Sequence, residues 1–227
     1  MDQIKKNKIS IQVSLSGYFF RLEQDGECRS SGWMGGDRLF TTPEFQKRYD
    51  EVDISLLTPK YTLVPVQFFN PDEARTILGE VVRLRDEDVV EYVPVPQFGA
   101  VLIYSNSMDE SLSRAISQTV STVSGGSAPV LPEIFFILRD LRDCPDYNKI
   151  LATYRDGYLH LAIAQGNSLL LANSYKAVDF TTAEYYLFLA LKTLQLNPEV
   201  STISWRMPLS EDEEMSLYRY FKAVETI

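Results

Sequence analysis

The 227-residue sequence predicts an α/β protein made of two related lobes. A constant shift of 140 residues lays 16–45 over 156–185 without a gap. It matches Gly17-Tyr18 to Gly157-Tyr158, Gly26 to Gly166, Phe40-Thr41-Thr42 to Phe180-Thr181-Thr182 and Glu44 to Glu184. Both stretches carry the same signals in the same order: a strand hairpin, a third strand, a capped helix, then a further strand. A Gly-Gly-Ser-Ala-Pro run at 125–129 reads as a linker, so the first lobe is placed at 1–128 and the second at 129–227.

Each element has a local reason. Ile9, Ile11, Val13 and Leu15 alternate with polar residues, the pattern of a half-buried strand. Ser16-Gly17 turns the chain, 18–22 returns, and Asp25-Gly26 turns it again because both residue types tolerate positive φ. In the second copy 150–154 is a strand, Asp156-Gly157 turns, 158–164 returns, and Gln165-Gly166-Asn167 leads into 168–172. Between the copies 52–57, 61–68, 89–95 and 100–104 read as strands, with Pro94 and Pro96 marking an edge or irregular one. Thr41 with Glu44, Ser107 with Glu110, Thr181 with Glu184 and Ser210 with Glu213 are capping-box patterns. Asn70-Pro71 with Glu73 is a fifth helix start. The helix expected over 107–123 lines up Leu112, Ile116, Val120 and Val123, and the one over 181–196 is apolar almost all round, as if buried between two layers.

Composition narrows the function classes. Apolar residues make up 45% of the chain, enough for a sizeable core. A net charge of −9 disfavours nucleic acid and anionic membrane surfaces as partners. Cys28 and Cys144 are too few and too far apart for a disulfide framework or a zinc site, and read as reduced cytosolic thiols. Neither a signal peptide nor a membrane-spanning run is legible, so a cytoplasmic location is expected.

The β-β-β-α-β order in each copy is the core of the ribonuclease-H-like unit, and two such units in tandem resemble the actin-like ATPase fold. Longer stretches look like an uncharacterised bacterial family thought to share that fold. They are the opening strands 9–22, Tyr61-Thr62-Leu63-Val64-Pro65, the segment 170–179, the Tyr185-Tyr186 helix and the closing Leu217-Tyr218-Arg219-Tyr220-Phe221. In actin-like ATPases the first hairpin of each lobe holds nucleotide phosphates through Gly-rich backbone amides, while Asp residues position Mg²⁺ and water. The resemblance maps Gly17 and Arg21 onto the first hairpin, and Asp156 and Gly157 onto the second, as candidate cofactor-binding residues. Ser14 stands where the first carboxylate belongs, and Thr153 and Arg155 replace the first Asp and Gly of the second pattern.

Weighed as chemistry, these residues are thin. His160, the only histidine, has no cluster around it in sequence and reads as a solvent-facing or structural strand residue. Asp156 is either a Mg²⁺- or water-positioning carboxylate or a turn residue that suits an Asp-Gly hairpin. Ser14 and Ser16 have no nearby activating His or Lys. Gly35-Gly36-Asp37 lacks phosphate-loop spacing and reads as a flexible loop. The acidic run 211–214 suits a helix N-terminus. Consecutive aromatics at 18–20 and 68–69 should alternate between core and an exposed, partner-binding face. The expectation is a non-catalytic protein-interaction or scaffold protein with a degenerate nucleotide site, an unidentified protein partner and no cofactor. The alternative is an active ATPase or kinase that uses ATP and Mg²⁺. A nuclease is disfavoured, because the strands carry almost no Asp or Glu to hold two metals.

Overall fold

The computed structural model describes residues 7–106, 120–144 and 146–227, without the side chains of 37, 39 and 40. The strands, in chain order, are β1 Lys8–Ser14, β2 Gly17–Gln24, β3 Glu27–Ser30, β4 Arg48–Tyr49, β5 Glu51–Leu56, β6 Tyr61–Pro65, β7 Val89–Val95 and β8 Ala100–Asn106. They continue as β9 Ser121–Thr122, β10 Val130–Pro132, β11 Asn148–Arg155, β12 Tyr158–Gln165, β13 Ser168–Lys176, β14 Thr202–Trp205 and β15 Ala223–Thr226. α-Helices cover Ala74–Val81, Glu133–Asp140, Phe180–Thr193 and Glu211–Tyr218 among the described residues.

Two compact units form, each from two stretches of chain: Met1–Thr58 with Asn106–Glu133, and Pro59–Ser105 with Ile134–Ile227. This division differs from a single break at 128/129. The 125–129 run is not an open linker: Gly125 N–H donates to the Thr122 carbonyl (2.9 Å) and Thr122 N–H to the Gly126 carbonyl (3.1 Å), closing a turn.

The first unit holds a sheet in the order β10-β5-β1-β2-β3 and the second a sheet in the order β13-β12-β11-β14-β15. Read from the hairpins outward, both follow one plan. Three antiparallel strands are joined by tight turns, and two more lie parallel to the first. This is the ribonuclease-H-like order twice over, so one plan of strands repeats in the two units. The structural repeat runs in a different register from the sequence match. Ser14 faces Gly17 and Gln24 faces Glu27 in one sheet; Arg155 faces Tyr158 and Gln165 faces Ser168 in the other. Equivalent residues are therefore 141 apart, and a shift of 140 would put every strand side chain on the wrong face. Gly17 and Gly157 sit in equivalent hairpins, one step out of register.

The apolar faces build the cores. Ile9, Ile11 and Val13 pack with Tyr18, Phe20, Ile54 and Phe45 in the first unit. Ile150, Ala152, Leu159, Leu161 and Ile163 pack with Leu187, Leu191 and Trp205 in the second. Within the second unit β6, β8 and β7 form a three-stranded sheet, with Pro94 on the edge strand β7. Its Ile103 and Val64 pack against Leu78 of the helix Ala74–Val81.

Four expectations are corrected. In the first unit the stretch after β3 forms 3₁₀ turns, Gly36–Thr41 and Pro43–Gln46, instead of a helix capped at Thr41. Pro43 forces Thr42 into extended backbone (ψ 114°), which ends the first turn. The helix at 180 is capped by Asp179, whose carboxylate accepts from Thr182 N–H (2.7 Å), rather than by Thr181. That helix is not sandwiched: Ala183, Leu187, Ala190 and Leu191 are buried, while Tyr185 and Leu189 are exposed. Of the helix expected over 107–123, residues 107–119 lie outside the described ones, and Ser121–Thr122 is a strand paired with Arg48–Tyr49. The Ser210 capping box forms as predicted, and Asn70 caps a 3₁₀ turn that leads into Ala74–Val81. Among the described residues no helix is long and apolar enough to cross a membrane.

A side chain at position 17 has no room. A Cβ there would meet the Met34 carbonyl oxygen at 2.2 Å, and φ is +154°. Gly17→Ala should cost on the order of 3 kcal/mol and lower the melting temperature by roughly 6–12 °C. Gly36→Ala, with nothing within 4 Å, should stay within about 0.5 kcal/mol of the parent. Calorimetry of the two variants checks this; equal melting temperatures would contradict it.

Candidate functional site

The first hairpin is closed on itself. Ser16 N–H donates to Ser14 Oγ (3.0 Å), and the two hydroxyls lie 2.9 Å apart. Tyr18 N–H donates to the Met34 carbonyl and Met34 N–H returns to the Tyr18 carbonyl, both at 2.8 Å. Tyr18 is fully buried, with its hydroxyl 2.6 Å from Thr42 Oγ1. Gly17 is thus a close-approach residue against Met34, and a phosphate here would have to displace bonds already made. Arg21, four residues along β2, aims its Nε at Cys28 Sγ (3.0 Å) and pairs with Glu23 (3.4 Å). The aromatics at 18–20 leave no exposed face, since Tyr18, Phe19 and Phe20 are all buried. Phe68 is exposed.

The second hairpin has Asp156 at φ +51° and Gly157 at φ +75°, two successive left-handed residues of a tight hairpin turn. The Gly157 carbonyl accepts from Ala177 N–H (2.8 Å), and Tyr154 Oη donates to the Ala177 carbonyl (3.3 Å). Gly17 and Arg21 therefore share one strand of the first unit, and Asp156 and Gly157 one turn of the second.

The structure also assembles polar groups that local patterns do not reveal. His160 is fully buried, so it is not solvent-facing. Ser174, its cross-strand partner on β13, sits between His160 Nδ1 (2.7 Å) and Tyr61 Oη (2.9 Å). Burial pushes the Tyr61 phenol well above its ordinary range, and the Ser174 hydrogen bond offsets part of that. Nothing in the local sequence marks Tyr61 or Ser174, because their pairing depends on two segments more than a hundred residues apart. Cys144 is buried; desolvation raises its thiol pKa, and a hydrogen bond with Ser204 opposes the rise. Asp146 is held below the usual carboxylate range by its hydrogen bonds with Thr202. Among the described residues no three His, Cys, Asp or Glu side chains gather as a metal site would require. A cavity of about 440 Å³ opens in the second unit beside the start of β13, with Leu63, Pro65, Phe98 and Leu169 as its apolar wall and Gln97 and Asn167 among its polar lining.

Two sheets of the same three-antiparallel, two-parallel plan define the class: this is an actin-like ATPase fold. Solved structures agree. One is a protein from Bacteroides thetaiotaomicron VPI-5482 described as having an actin-like ATPase fold and unknown function. It matches at TM-score 0.66 and 18% identity, over 98% of this chain and 91% of that one. Another is a PilM–PilN type IV pilus biogenesis complex, at TM-score 0.54 and 10% identity, over 97% of this chain and 88% of that one. The chain belongs to the family described as protein of unknown function (DUF3822), whose model matches residues 37–224. No curated protein sequence matches it.

The buried phenols set an alkaline limit. The folded chain keeps the Tyr61 proton at a pH where the unfolded chain, with an ordinary tyrosine pKa near 10, releases it. Stability is therefore intact below about pH 10 and falls as pH rises above it. Tyr49, pushed up to about 12 by burial and then by Glu44, adds in the same window. Tyr104, raised by burial and by Glu91, does the same. Urea midpoints measured from pH 8 to 11.5 should decline beyond pH 10, less steeply for Tyr61→Phe. That variant also loses about 1 kcal/mol at pH 8 with its hydrogen bond to Ser174. An unchanged slope would contradict the assignment.

Proposed function

We propose that this chain acts by protein–protein contact, as a non-catalytic member of the actin-like fold with a degenerate nucleotide site. The observation that carries the reading is the closed first hairpin. Ser14 replaces a carboxylate, the Ser16 and Tyr18 amides are engaged within the chain, and the Met34 carbonyl occupies the space around Gly17. An oxyanion there would face a carbonyl oxygen and a serine pair instead of free N–H groups. Asp156 serves on this reading as a left-handed turn residue, and Gly157 supports the turn beside Ala177.

Two further facts support it. The PilM–PilN structure is a complex, so a protein of this fold can be found assembled with a partner. The net charge of −9 favours a protein partner over nucleic acid or an anionic bilayer. The two free cysteines suit a reducing compartment such as the cytoplasm. The rival reading is an ATPase or kinase that holds Mg²⁺ through Asp156 and phosphates through Gly17, Arg21 and Gly157.

Thermal melting with Mg-ATP separates the two. A bound ligand at 100 times its dissociation constant adds about 2.7 kcal/mol. The expected result is no shift at millimolar Mg-ATP, and a small loss of stability without any nucleotide effect in Asp156→Ala. A shift that Asp156→Ala removes would establish the rival.

A further inference from the structure

We draw no further inference here: the strongest candidate, the exposed apolar surface patch of Tyr185 and Leu189 on the helix Phe180–Thr193 with Tyr220 packed beside that helix, carries nothing, because charges of both signs flank these residues in the chain (Glu184, Lys192 and Arg219) and nothing in the structure shows what covers it.

Discussion

The central strands of both five-stranded sheets are buried on both faces, and most of the structure follows from that constraint. β1 is buried from Ile9 to Ser14, β12 from Leu159 to Ala164, and all four residues of β14 are buried. A strand with one wet face needs apolar residues only at alternate positions. A strand with none must also place something compatible with burial at the positions between. Both sheets solve this with small or hydrogen-bonded polar residues. In the first sheet these are Ser10, Gln12, Ser14, Asp53 and Ser55; in the second they include Thr153, His160 and Ser204.

The polar second faces are largely satisfied inside the chain. Ser55 Oγ donates to the Ile11 carbonyl (3.2 Å), Lys8 pairs with Asp53 (3.0 Å), and His160 meets Ser174. Gln12 departs from this: it is fully buried and its amide has no hydrogen-bond partner among the described residues, at a cost of about 1–3 kcal/mol. His160 and Ser14 both lie on this polar lining of a two-sided sheet. His160 has a partner because a buried imidazole needs one, and Ser14 closes a turn. The same constraint shapes the first hairpin, where the Met34 segment pairs with Tyr18 across a position that only glycine can occupy.

Much of the fold was legible because it is written locally. The alternation of Ile9, Ile11 and Val13 marks a strand, Asp25-Gly26 and Asp156-Gly157 are both left-handed hairpin turns, and Ser210 with Glu213 is a capping box. The duplication was legible as an order of elements but not as a register. The structural register survives in Lys8-Ile9 against Lys149-Ile150 and in Gln24 against Gln165. These matches are fewer than the misleading ones, because a strand needs only apolarity at alternate positions, not identity. The parallel pairing of β10 with β5 and the Tyr61–Ser174–His160 chain join distant segments and leave no local pattern. The cavity beside β13 was not legible either, since its wall joins residues 63–65 and 97–100 to the distant turn at 167–169. Gly17, Arg21, Asp156 and Gly157 lie on the two hairpins and their strands, but a phosphate site depends on where backbone amides point, which spacing does not encode.

The most direct test of the account is amide hydrogen exchange at the buried Tyr18, followed by NMR with and without Mg-ATP. Internally engaged amides should exchange slowly in the free protein and at the same rate when nucleotide is added. Fast exchange in the free protein that becomes slow with Mg-ATP would show an open, phosphate-binding hairpin and contradict the account.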